Sequence, residues 1–174
     1  MPGLDVDGLR FEFPSAMAAS KYDEWLHYLK HWNAGGGKKA MDVVATRIQA
    51  APAVVWLIEA KDFRIHTQDP EPSNLYGLAQ TVADKARDTL AGLRDAAENA
   101  SDAEERAQAL RACLAKSNRV VLHLEPRTGQ HSILFPSNFT ASVLQKLRQL
   151  VKSIDPNPLV VSIAKPGHVP WKVS

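Results

Sequence analysis

Cysteine is nearly missing from this chain of 174 residues, where Cys113 stands alone. An internal disulfide and a cysteine-based zinc site are therefore excluded. Long apolar runs are missing too. None approaches the length needed to cross a bilayer, and the N-terminus carries no signal-peptide pattern. The expectation is a cytoplasmic protein without a membrane partner. Charge of one sign is scarce: 21 Lys and Arg against 19 Asp and Glu leave +2. That balance neither demands nor excludes a nucleic-acid partner. Repeats and low-complexity tracts are absent. So is a glycine-rich phosphate loop behind a strand, because Gly35–Gly37 follows a predicted helix. What remains, 45% apolar and 23% charged residues, is ordinary for a globular protein. A chain of this length buries roughly two-thirds of its unfolded surface, so a single domain over residues 1–174 is expected.

The stretch that organises the chain is Lys38–Arg64, KKAMDVVATRIQAAPAVVWLIEAKDFR. Two runs rich in Val, Ile and Ala flank a turn around Ala50–Pro52, as in a β-hairpin with a longer loop. The first run carries Asp42. The second runs Val54-Val55-Trp56-Leu57-Ile58 and then breaks into Glu59-Ala60-Lys61. Unpaired buried charge is expensive, so two charges closing an apolar strand are not explained by packing. Strand alternation puts Glu59 and Lys61 on one face, about 7 Å apart along it. Pairing of the two strands can set Asp42 beside Glu59. Asp62 points to the other face and reads as structural or solvated.

Around the hairpin, Leu9–Phe13 alternates weakly and predicts a short strand. Ser15 can cap a helix running to about Trp32, with an apolar stripe of Tyr22, Trp25, Leu26, Leu29 and Trp32. After Arg64 comes a loop, IHTQDPEPSN, with a cap at Ser73 or Asn74. A long helix from about Leu75 to Ala97 follows, its regular stripe marking it as packed on a sheet. Ser101-Asp102-Ala103-Glu104 reads as a capping box for a helix to about Lys116, with Leu110 and Leu114 inward and Cys113 a packed thiol. Arg119–Glu125 predicts a strand, and Ser132–Phe135 is a short apolar run. A helix over Thr140–Ile154, a strand over Leu159–Ala164 and a tail with Trp171 complete the chain. Strands separated by helices need crossovers, so the class is α/β with a mixed sheet whose later strands run parallel.

An acid on one strand, Glu59-Ala60-Lys61 closing the next, and then a helix and a strand resemble the PD-(D/E)XK nuclease superfamily. This is the restriction-endonuclease-like αβββαβ core, here with an added C-terminal helix and strand. The similarity covers roughly residues 15–125. Met41 replaces the proline that usually precedes the acid. A third strand ahead of the long helix has to come from Leu9–Phe13, from Gly35–Ala40, or be missing. The resemblance implies a metal-dependent endo- or exodeoxyribonuclease that hydrolyses DNA with Mg²⁺ or Mn²⁺ as cofactor. Phosphodiester hydrolysis needs a nucleophilic water and neutralised phosphate oxygens. A hard divalent cation supplies this while held by few carboxylates. Asp42 and Glu59 would be those carboxylates and the Ala60 carbonyl a third ligand. Lys61 would orient the water or stabilise developing charge, so the catalytic set is Asp42, Glu59 and Lys61.

Family members often place a further glutamate on the first helix. Glu24 is the candidate, although helical geometry turns it away from the Trp25/Leu29 stripe. On the long helix Lys85 flanks the apolar stripe and is the accessory candidate for reaching a phosphate, against the plainer reading of a snorkelling lysine. His27 and His31 share a helical face at a spacing that can bind metal, but without a third ligand a solvated face is expected. His123 receives no role. Lys38, Lys39, Arg47, Lys61 and Arg64 gather around the motif, which suits phosphate contacts. A homodimer or partner subunit would help so small a domain grip a duplex. The alternative is a non-catalytic α/β binding or interaction module, including an inactive nuclease relative.

Overall fold

The computed structural model describes residues 3–48, 54–64, 75–126 and 138–174. The expected turn at Ala50–Pro52, the caps at Ser73 or Asn74 and the run Ser132–Phe135 lie outside the described residues. The architecture is mixed α/β. A five-stranded sheet is built from β3 (Met17–Lys21), β4 (Val43–Arg47), β5 (Val54–Asp62), β6 (Ser117–Glu125) and β7 (Leu159–Val161), in that spatial order. The first three form an antiparallel meander, while β5, β6 and β7 run parallel. Between β5 and β6 the chain makes α1 (Leu75–Asn99) and α2 (Ala103–Cys113), and between β6 and β7 it makes α3 (Phe139–Leu150).

The central strands carry near-continuous apolar runs because both their faces are covered. On one face Val55, Leu57, Val120, Leu122 and Leu124 pack with the buried Ala79, Val82, Ala83 and Ala86 of α1. On the other, Val43, Ala45, Trp56, Ile58 and Val121 meet Leu9, Phe11, Phe13 and Trp171. That second layer is a small antiparallel sheet of β1 (Gly3–Val6), β2 (Leu9–Glu12) and β8 (Lys172–Val173). The C-terminal tail is thus part of the core, and Trp171 meets Trp56 edge to face at 5.2 Å.

Several expectations are corrected. The helix from Ser15 to Trp32 is replaced by β3, a 3₁₀ turn at Tyr22–Glu24 and a short π-helical stretch at Tyr28–Trp32. Pairing with β4 over five residues overrides the local helical pattern. Tyr22 and Trp25 are buried, but Leu26 and Leu29 are exposed. The third strand therefore comes from Met17–Lys21, a source not considered, while Leu9–Glu12 joins the second sheet. The N-cap of α2 is Asp102 rather than Ser101, its carboxylate accepting from the Glu104 and Glu105 amides at 2.9 and 3.0 Å. On α2 it is Gln108, Ala109 and Ala112 that face inward, while Leu110, Leu114 and Cys113 are exposed. The reason is polar: Gln108 bridges two strands, donating to the Val44 carbonyl (2.8 Å) and accepting from Ser20 Oγ (2.7 Å). Among the described residues no helix is long and apolar enough to cross a membrane.

Candidate active site

The β4–β5 ladder pairs Val43 with Ile58. One further step in that register sets Asp42, just ahead of β4, opposite Glu59. Both side chains project from the helix-covered face, and Lys61 follows Glu59 on the same face by strand alternation. The Glu59 side chain is fully buried; Asp42 is 14% exposed and Lys61 35%.

From above the sheet, α1 contributes Lys85. Its ammonium lies 2.6 and 2.8 Å from the two Glu59 oxygens and 3.4 Å from Asp42 Oδ1. The two carboxylate oxygens it bridges are therefore within about 6 Å of each other. Lys61 Nζ is 3.5 Å from Glu59 Oε1. The other Asp42 oxygen accepts from the Ala60 amide at 2.8 Å, which ties the two strands together at the site.

The electrostatics follow from burial. Loss of water, reinforced by the charge of Asp42, raises the Glu59 carboxyl to about 7 against the pull of Lys85 and Lys61. Burial alone would lower the Lys85 ammonium, but Glu59 and Asp42 together hold it above its ordinary value. Both shifts are upward, but the rise favours the charged form of the lysine, which gains two anions, and the neutral form of Glu59, which gains a neighbouring anion and loses its water.

Asp23, which sequence reasoning passed over, belongs to the same neighbourhood. The Tyr22 amide donates to the Asp42 carbonyl (2.9 Å), which brings the turn against the start of β4. Asp23 Oδ1 is buried with no hydrogen-bond partner among the described residues. Burial, and then the charge of Asp42, raise its pKa. The family resemblance had singled out Glu24 instead, against its helical phase, and Glu24 pairs with Lys21 on the surface, its side chain 64% exposed. No sequence signal separates the two acids, since the choice depends on how the chain leaves β3.

The remaining candidates lie elsewhere. His27 is fully buried rather than solvated, its Nε2 2.6 Å from Asp95 Oδ2, and its ring stacks on the exposed His31. His123 faces the second sheet and pairs through Nε2 with Glu125 at 2.8 Å. Burial lowers its pKa against that hydrogen bond. On that same face Asp62 is buried against Arg64 at 2.7 Å. Of the expected basic cluster, Lys39 pairs with Asp84 at 3.2 Å and Lys38 lies over the Trp32 ring at 5.1 Å. Among the described residues no group of three His, Cys, Asp or Glu side chains is placed to hold a metal ion. The candidate site offers two carboxylates, with Asp23 nearby.

No family model matches the chain, and no solved structure does. The chain is similar to a cysteine–tRNA ligase of Neisseria meningitidis (serogroup A, serotype 4A), 26% identical over 204 aligned positions. The alignment takes in 95% of this chain and only 29% of the ligase. It carries no residue-level assignment, and aminoacylation is not transferred from so small a part.

Proposed function

We propose that this chain is a metal-dependent nuclease domain of the restriction-endonuclease-like type, hydrolysing phosphodiesters of DNA. The supporting observation is the convergence of Asp42 and Glu59 at adjoining strands, with Lys61 on the same face and Lys85 between the acids. The strand order also suits the reading: an antiparallel meander β3–β4–β5 is followed by a helical crossover to a parallel β6. It departs from that core in one respect, because among the described residues no helix precedes β3, and helical turns lie instead between β3 and β4.

The donor set fits a hard divalent cation. Its donors are all oxygen and sit in a partly buried cluster. Asp42 and Glu59 would hold Mg²⁺ or Mn²⁺, with the Ala60 carbonyl as a third ligand. When bound, such an ion neutralises phosphate oxygens and makes a coordinated water more acidic. The chain's own groups do the rest. Asp42 is oriented by the Ala60 amide. Lys61, the more exposed of the two lysines, presents its ammonium beside Glu59, where it stabilises charge developing on the phosphate or holds the attacking water. Lys85 neutralises the acids before substrate arrives.

The test is incubation of the protein with linear, nicked, branched and single-stranded DNA and Mg²⁺ or Mn²⁺, beside a Lys61→Ala control. Cleavage by the wild type alone supports the assignment. Cleavage by neither favours a second reading, a non-catalytic binding module. That reading draws on Lys85 already seated on both acids and on the ion pairs that engage Lys21, Lys39 and Arg64.

A further inference from the structure

Lys85 stands where a cation shared by Asp42 and Glu59 would stand. Its nitrogen takes both oxygens of Glu59 at 2.6 and 2.8 Å and reaches Asp42 Oδ1 at 3.4 Å. A divalent ion would need the same lone pairs at about 2.0–2.1 Å, closer than the ammonium that now takes them. The helix behind the lysine is fixed, since Val82, Ala83 and Ala86 are buried in the core. What can move is the side chain, a four-carbon stem ending in a strongly hydrated ammonium. The Lys85 side chain is 19% exposed, whereas that of Glu59 is fully buried.

We infer that Lys85 and a divalent cation are mutually exclusive partners of the Asp42–Glu59 pair, so that metal binding expels the Lys85 ammonium into the cleft. This rests on the nuclease reading and adds to it a defined metal-free state. In that state the lysine keeps two facing carboxylates from repelling each other. On its expulsion it becomes a second cation beside Lys61, positioned for a phosphate oxygen.

Two measurements on the full chain test it. Calorimetric titration with MnCl₂ compares wild type, Lys85→Met and Asp42→Ala. Removing the competitor is expected to tighten Mn²⁺ binding by about ten- to a hundredfold, the equivalent of charge-assisted hydrogen bonds that no longer have to be broken. Because Lys85→Met leaves the acids without their cation and can fail to fold, the second measurement uses wild type alone. Reductive methylation read by mass spectrometry is expected to modify Lys85 faster with MgCl₂ than with EDTA. Asp42-dependent binding of Mn²⁺ with unchanged or weaker affinity in Lys85→Met overturns the inference and leaves the nuclease reading intact. So does a Lys85 that stays protected under saturating metal. Absence of Asp42-dependent binding in both wild type and Lys85→Met removes the nuclease reading and the inference together.

Discussion

Replacing Glu59 by glutamine in the metal-free protein isolates the charge that the fold has to tolerate. The folded protein holds this carboxyl at about 7, against an ordinary value of 4.5, chiefly because it is buried and faces Asp42. A group whose folded pKa is raised binds its proton more tightly in the folded state, so between pH 4.5 and 7 the folded state carries more protons than the unfolded chain. Stability must then fall as pH rises through that window and level off above it. At 1.36 kcal/mol per unit the full cost approaches about 3 kcal/mol. Glutamine keeps the shape and an acceptor for Lys85 but does not titrate. Glu59→Gln is therefore expected to gain on the wild type by up to about 3 kcal/mol between pH 4.5 and 7, or roughly 6–12 °C in midpoint for a domain of this size. Urea or thermal unfolding of both proteins in EDTA, from pH 4.5 to 8, measures the difference directly, and titrations elsewhere cancel. Parallel curves, or a variant that loses ground with pH, would refute the claim that burial outweighs Lys85. On the proposed metal-dependent reading, the order should reverse above pH 7 with Mn²⁺ in place of EDTA, because a bound metal would stabilise only the protein that retains both acids.

Three further outcomes are expected. On the proposed nuclease reading, Lys61→Ala should abolish cleavage while changing the stability measured by urea unfolding by less than about 1 kcal/mol, since its 3.5 Å pairing with Glu59 is partly solvated. Gly92→Ala should destabilise by about 1–3 kcal/mol in the same assay, because the new methyl would fall 2.1 Å from Tyr22 Oη and 2.9 Å from the Trp32 ring inside the α1 contact. Asp155→Ala should cost about 1–3 kcal/mol: the buried carboxylate accepts from the Val120 and Asn157 amides, both at 2.9 Å, and the Val120 amide would be left buried and unpaired.

The sequence by itself determined what short-range periodicity and local charge encode. The β-branched apolar run from Val54 to Ile58 makes that segment a strand, which commits Glu59 and Lys61 to one face. Helical spacing from Leu75 onward requires a crossover, and with it a parallel neighbour for β5. Pairing with the preceding apolar run allows Asp42 to lie beside Glu59, and the ladder that pairs Val43 with Ile58 sets it there. Only the tertiary structure decided the rest. Met17–Lys21 has no strand periodicity of its own and is extended because β4 supplies a ladder for its backbone. Whether Asp23 or Glu24 turns toward the acids depends on how the chain leaves that ladder. Helical phase placed Lys85 at the border of a buried stripe, where a long side chain can turn outward to water or inward. Two carboxylates brought from strands 26 and 43 residues away in sequence turned it inward. Local pattern can say which face a residue shares, but the sign and strength of the field on that face come from groups that only the fold brings near.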